Sequence, residues 1–330
     1  MASQCNICGT AAVVPRRALA STELGQRLGH GAGWIEQSYH IRSRGVAEPD
    51  ETSSSLGAQA ARQALAAAGW EASSLDVIIG ACGVMEQPIP GTASLIQRRL
   101  GLGASGIPAF DVNATCLSFL LALDQACLGL AARRWRRALI VSADIASAAL
   151  DFSTPGASVI FGDGAAAAAV EAGDGASGLL ASRLETYGDD SGLCTLAAGG
   201  TRLRPHENIG AFLAQAYFRM DGRGTFLAAA RRLPGFLDRL LHDAGTRAED
   251  IDLVIPHQAS ATALDHLRRV FPHARKGVVD IFADHGNQIA ASLPSALHAA
   301  IASGQLCRGD TALLIGSAAG LSLGGAVLRY

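Results

Sequence analysis

Three side chains in this 330-residue sequence have the types and settings that nucleophilic chemistry on a carbonyl needs. Cys116 follows a short apolar run at 107–112 and a polar break, Asn113-Ala-Thr115. After it, Leu117, Leu120, Leu121, Leu123, Leu128 and Leu130 repeat with a helical period over nearly four turns. The thiol therefore stands where a strand turns into a buried helix. Free backbone N–H groups and the positive end of the helix dipole favour thiolate there, which makes a nucleophile without a metal. A small residue that merely packs at the same place fits the local pattern equally well. His257 follows Pro256 at the end of an apolar strand, and Asn287 follows His285-Gly286 in a glycine turn. Thiolate with imidazole is a nucleophile arrangement, and an Asn amide or a His Nε2–H can donate to a developing oxyanion. Taken singly, His257 could be a satisfied interior histidine, and Asn287 could simply take positive φ beside Gly286. No carboxylate is placed to orient His257 as in a protease triad. Acyl transfer between carriers fits this apolar chain better than hydrolysis does.

The elements that must hold these groups alternate between strand and helix. A first strand is read at 4–14 and a short helix at 22–30, broken by Gly31-Ala-Gly33. Thr52 and the serines at 53–55 offer N-caps for an Ala-rich helix that runs to Ala68 and stops at Gly69. Buried strands follow at 75–80, 107–112 and 138–142 and a small-residue strand at 161–170, with a helix at 92–100. The glycines of Phe161-Gly-Asp-Gly permit close backbone approach. Residues 173–224 read as an exposed strand pair plus a loop. Beyond them come a helix at 225–244, a strand at 252–256, a helix at 260–271 and a strand then turn at 280–287. A helix at 290–303 and strands at 311–315 and 325–330 end the chain. This alternation predicts a mostly parallel, layered α/β fold.

An internal repeat sharpens the reading. Ala68-Gly69 followed by Ser74-Leu-Asp-Val-Ile-Ile79 matches Ala244-Gly245 followed by Asp250-Ile-Asp-Leu-Val-Ile255. Asp111, a helix and 137–143 parallel Asp284, a helix and 311–317; Phe161-Gly-Asp-Gly-Ala165 echoes Leu323-Gly-Gly-Ala326. The order is the same, and the offset stays near about 170 residues. Two similar halves are expected, 1–172 carrying the cysteine and 173–330 carrying the histidine and asparagine, inseparable through one core. The Cys116 helix then corresponds to the helix after Asn287, and the two meet near a pseudo-twofold axis.

Composition narrows the function classes. The chain is 49% hydrophobic and only 17% charged, with mean hydropathy +0.24, which implies a large core or a covered subunit interface. No apolar run approaches the ~20 residues of a spanning helix, and no signal peptide is read, so a cytoplasmic location is expected. A net charge of −2, with one basic block at 133–137, gives nucleic-acid binding little support. The seven cysteines are scattered and do not form a disulfide framework. Cys5-Asn-Ile-Cys8 has zinc-knuckle spacing but no second pair to complete four ligands, so no metal is expected.

The set Ala109-Phe-Asp-Val-Asn-Ala-Thr-Cys116, Phe161-Gly-Asp-Gly-Ala165, Pro256-His-Gln-Ala259, His285-Gly-Asn287 and the glycine-containing run 316–329 resembles the β-ketoacyl-acyl-carrier-protein synthase III group of the thiolase superfamily. The motifs span nearly the whole chain in that family's order. The resemblance implies a duplicated five-layer αβαβα fold, a homodimer, and no cofactor beyond substrates carried on CoA or acyl carrier protein. It implies that Cys116 is acylated and that a malonyl-type thioester then loses CO₂ and condenses with it. His257 and Asn287 would hold the extender's thioester oxygen, and the backbone N–H groups of Cys116 and Ala319 the tetrahedral intermediate. Trp34 and Arg42 stand where the family grips the CoA nucleotide. Ile89 stands where a side chain from the partner subunit reaches the acyl tunnel.

Departures accompany the matches. Ser38 and Pro155 replace expected arginines, Thr262 replaces an arginine linked to carrier docking, and Arg223 replaces a pantetheine-contacting asparagine. Ala318-Ala319-Gly320 replaces a run of glycines. The chemistry is kept and the carrier grip is changed, which points to a specialised relative with an unusual acyl donor, in fatty-acid or polyketide-type biosynthesis. The rival readings are an acyltransferase making an ester or amide and a non-catalytic partner subunit. Relatives of the first kind tend to carry an acid at the position of Asn287, and subunits of the second kind lack the cysteine.

Overall fold

The computed structural model describes residues 5–173, 175 and 177–330. The other residues, including the first one expected in the N-terminal strand, lie outside that description. The first half supplies β1 (Cys5–Val13), β2 (Arg17–Ala20), β3 (Ser43–Val46), β4 (Val77–Gly80), β5 (Ala109–Asp111), β6 (Arg137–Asp144) and β7 (Gly164–Ala172). β2 and β3 form a small separate ribbon; the rest make one sheet in the order β1-β7-β6-β4-β5. The second half supplies β8 (Gly178–Thr186), β9 (Cys194–Thr195), β10 (Arg219–Met220), β11 (Leu253–Pro256), β12 (Thr311–Ala318) and β13 (Ser322–Arg329). β9 pairs with β10, and the others form a sheet in the order β11-β12-β13-β8.

The two sheets repeat each other. β4 beside β6 is parallel, as is β11 beside β12. β6–β7 and β7–β1 are antiparallel, as are β12–β13 and β13–β8. The counterpart of β5 has shrunk to a single parallel bridge, Val254 to Val278. The duplication expected from the sequence is thus present, but the sheets are mixed rather than mostly parallel. Only three residues separate β12 from β13, and a connection that short can only reverse the chain.

Helices fill the layers around the sheets. On the outer face of the first sheet lies Ser53–Ala68, with Thr52 accepting from the Ser55 N–H and Gly69 closing it at φ 69°. Its alanines bring the backbones close: a Cβ on Gly9 of β1 would lie 2.3 Å from the Ala64 carbonyl oxygen. Between the sheets run Ser118–Ala131 and Ser292–Ala302. They bury Phe119, Leu120, Leu123, Leu293 and Leu297 in a core shared with both sheets. Such apolar helices are stable only when covered on both sides. Gly222–Ala244 covers the outer face of the second sheet through Leu233, Phe236, Leu237 and Leu240. These are the five layers of a thiolase-like fold. No helix among the described residues is long and apolar enough to cross a membrane.

Three local expectations are corrected. The run at 107–112 is not a buried strand: β5 lies at the sheet edge, with Phe110 and Asp111 exposed. The segment expected as strand before Asn287 holds a short helix, Phe282–His285. Cys5 and Cys127, both fully buried, form a disulfide between β1 and the helix Ser118–Ala131.

Candidate active site

The turns bearing Cys116 and Asn287 are two copies of one device. Asn113 Oδ1 accepts the Thr115 N–H at 2.8 Å, and Asn287 Oδ1 accepts the Ile289 N–H at 2.9 Å. Thr115 and Ile289 both take the left-handed conformation, at φ 51° and 53°. For β-branched residues this costs about 1–2 kcal/mol each, so the surroundings must enforce it. A 3₁₀ turn follows in each copy, Thr115–Leu117 and Ile289–Ala291. Ser118 Oγ then accepts the Ala114 N–H, and Ser292 Oγ accepts the Gln288 N–H. Cys116 therefore sits in the 3₁₀ turn, and its α-helix begins at Ser118. Gly83 separates the two copies. A Cβ there would lie 2.4 Å from the Ile289 methyl and 3.2 Å from the Thr115 carbonyl.

His257 is held by β11. Its N–H donates to the Ile315 carbonyl of β12 at 2.8 Å. A Cβ on the neighbouring Gly316 would lie 2.7 Å from His257 Cβ and 3.1 Å from Leu117 Cδ2. The histidine and the residue after the cysteine thus press on the same bare stretch of backbone. Asn287 is held by the Phe161 motif: its N–H donates to the Ile160 carbonyl, and its own carbonyl accepts from the Gly162 N–H. Gly162 is bare because a Cβ would meet the His285 carbonyl oxygen at 2.3 Å. The close approach expected of those glycines is what seats the asparagine.

Cys116 is partly accessible. Burial pushes its thiol up to about 12, with the Asp144 and Cys194 side chains adding to the rise. The backbone N–H groups of Cys116 itself and of Ala319 pull the other way. Thr115 Oγ1 ties down the Ala319 carbonyl at 3.4 Å. The setting favours thiolate by sequence, but burial outweighs the two N–H groups, and the resting group is the neutral thiol. Burial also pushes His257 down to about 4, so its imidazole is neutral too, and its Nδ1 has no partner among the described residues. Asn287 Oδ1 accepts from the Ile289 N–H, and its Nδ2–H₂ donates to no group among the described residues. The site offers a thiol beside two backbone donors, with a neutral imidazole and an amide supplied by the other half. That set can accept an acyl group and hold oxyanions.

The contacts joining these groups do not involve the remaining candidates. Trp34 is stacked by His30, centroids 3.7 Å apart, and met edge-on by Tyr39. Arg42 is held bidentately by Asp284 at 2.9 and 2.5 Å. Ile89 is 87% exposed, and Arg223 is exposed in the first turn of Gly222–Ala244. Sequence reasoning passed over Gly83 and the buried Asp144, and it gave Gly316 no role beyond the glycine-containing run. A carboxylate ending the apolar strand at 138–142 was the signal for Asp144.

Known proteins resemble the chain over nearly its whole length. The family described as 3-oxoacyl-[acyl-carrier-protein] synthase III matches residues 110–188, and its C-terminal counterpart matches 241–330. The chain is 33% identical over 324 residues to a β-ketoacyl-[acyl-carrier-protein] synthase III of Neisseria meningitidis, covering 98% of both. The 3-oxoacyl-[acyl-carrier-protein] synthase III of Aquifex aeolicus superposes with TM-score 0.88 at 32% identity, over 99% of this chain and 100% of that one. The priming β-ketosynthase of the R1128 polyketide pathway does so with TM-score 0.89 at 27% identity, over 99% and 96%.

Proposed function

The chain belongs to the β-ketoacyl-acyl-carrier-protein synthase III family of condensing enzymes, and from that premise we propose a two-stage reaction centred on Cys116. In the first stage the Cys116 sulfur attacks the carbonyl of an acyl thioester. The carrier's thiol leaves with the proton, and an acyl-Cys thioester remains. In the second stage a malonyl-type thioester binds and loses CO₂. Its enolate oxygen is held by the Nε2–H of neutral His257 and the Nδ2–H of Asn287. The enolate carbon attacks the acyl-Cys carbonyl, whose oxygen is held by the Cys116 and Ala319 N–H groups. Collapse releases the β-ketoacyl product, and Cys116 takes back a proton. Protein groups supply each part, so the scheme calls for no metal or redox cofactor.

The observation that carries this reading is the convergence of both halves on Cys116: its thiol feels the N–H groups of its own residue and of Ala319, and its turn packs through Gly316 against His257 and through Gly83 against the turn that bears Asn287. The Nδ2 of Asn287 favours carbon–carbon bond formation over ester or amide formation, because it can only donate.

The donor is an unusual acyl thioester, carried on CoA or acyl carrier protein. The face of Trp34 is occupied by His30 and the charge of Arg42 by Asp284, which supports a changed grip on the carrier. The working unit is a cytoplasmic homodimer, with Ile89 reaching the partner's tunnel. The test is product formation from malonyl-acyl carrier protein and a panel of acyl-CoA and acyl-carrier-protein donors. A β-ketoacyl product that Cys116→Ala abolishes supports the reading. Rapid use of acetyl-CoA would contradict the specialised donor, and no product from any donor would contradict condensation.

A further inference from the structure

Asp144, the last residue of β6, is fully buried and contacts neither the acyl carbon nor the extender in the scheme above. Its carboxylate gathers backbone donors from both halves. Oδ1 accepts the N–H groups of Gly83 and Val84 at 2.8 and 2.7 Å, and Oδ2 accepts the Ala291 N–H at 3.2 Å. Gly83 is the residue wedged between Thr115 and Ile289. Ala291 closes the 3₁₀ turn that follows Asn287. One carboxylate thus spans the seam between the two turns and lies within electrostatic reach of the Cys116 sulfur.

Resting on the condensing reading, we infer that Asp144 is a positioning residue that locks the Cys116 and Asn287 turns together and places a switchable negative charge beside the nucleophile. Its charge reaches the thiols of Cys116 and Cys82. Burial raises the Asp144 carboxyl to about 7 against the pull of its N–H donors. The charge therefore appears across the neutral range and opposes ionisation of Cys116 there. Below that range the proton on Asp144 releases the thiol. The two groups titrate as a coupled pair.

The test is the rate of iodoacetamide labelling of Cys116 against pH, read by peptide mass. It uses no acyl substrate, so it stands or falls apart from the condensing reading. In the wild-type protein the logarithm of the rate should rise with unit slope below neutrality, flatten near pH 7 as Asp144 ionises, and resume above. In Asp144→Asn the flattening should vanish, and labelling at pH 8 should quicken by at least about threefold. The same variant should lose condensation kcat by about tenfold or more, with the KM for acylation unchanged. Should Asp144→Asn fail to fold, the wild-type curve alone decides. An unbroken unit slope across pH 6–8, or identical curves for wild type and variant, overturns the inference.

Discussion

Substituting Gly316 by alanine should damage the reaction out of proportion to the one methyl it adds. The new Cβ would lie 2.7 Å from His257 Cβ, where ordinary contact begins at 3.4 Å. The two must separate by about 0.7 Å, and His257 cannot yield by rotating, because the clash is at its Cβ. Its backbone is pinned to Ile315 by a 2.8 Å hydrogen bond. The second clash, at 3.1 Å, is with the tip of Leu117, which can turn away. Overpacking of this kind costs about 1–3 kcal/mol of stability. A displacement approaching 1 Å at a catalytic group costs up to about 10²-fold in rate. Condensation, for which the proposed scheme uses His257, should therefore fall by about 10- to 100-fold. Acylation of Cys116 should fall much less. Steady-state product formation, single-turnover acylation by mass, and urea unfolding measure the three effects. Gly188→Ala, whose Cβ would meet nothing within 4 Å, is the control. Wild-type condensation in Gly316→Ala would refute the placement of His257 beside the Cys116 turn.

Other outcomes follow from the same geometry. Asn287→Ala should lower condensation by about 10²–10³-fold while leaving self-acylation within about threefold, because only the second stage needs the enolate held. Burst acylation and steady-state turnover separate the two. His257 titrates at about 4 when folded and near 6.5 when unfolded, so the unfolded chain binds the extra proton between those values. The stability contributed is present above pH 6.5 and is lost as pH falls toward 4, about 3 kcal/mol in all. Urea unfolding of wild type and His257→Asn over pH 4–7 should show that difference, with the two curves parallel above pH 6.5. Condensation should accordingly show no rise or fall near pH 6.5 assignable to His257.

Much of this was legible in the sequence because duplication leaves a regular trace. The matched segments predicted the paired halves, and the equivalence of the Cys116 and Asn287 helices extends to matching Asn, left-handed and Ser positions. Phe161-Gly-Asp-Gly was legible as a close approach, though not as the seat of Asn287. What escaped depends on burial and long-range pairing, which spacing does not encode. A short apolar run looks alike at a sheet edge and at its centre, so β5 was misplaced. The small residues between 316 and 324 hid how near β12 comes to β13, and with it the antiparallel pairing. The state of the Cys116 thiol turns on desolvation weighed against nearby N–H groups, and only coordinates show which is larger. The engagement of Trp34 by His30 and of Arg42 by Asp284 depends on side-chain packing across a glycine break and between the halves.

The most direct test is to incubate the protein with an accepted acyl thioester, quench, and locate the adduct by peptide mass before and after adding malonyl-acyl carrier protein. The acyl mass should sit on Cys116 alone, be discharged as β-ketoacyl product when the extender arrives, and persist on Cys116 in Asn287→Ala. An acyl group found on another residue, or one discharged only as free acid by water, would contradict the account.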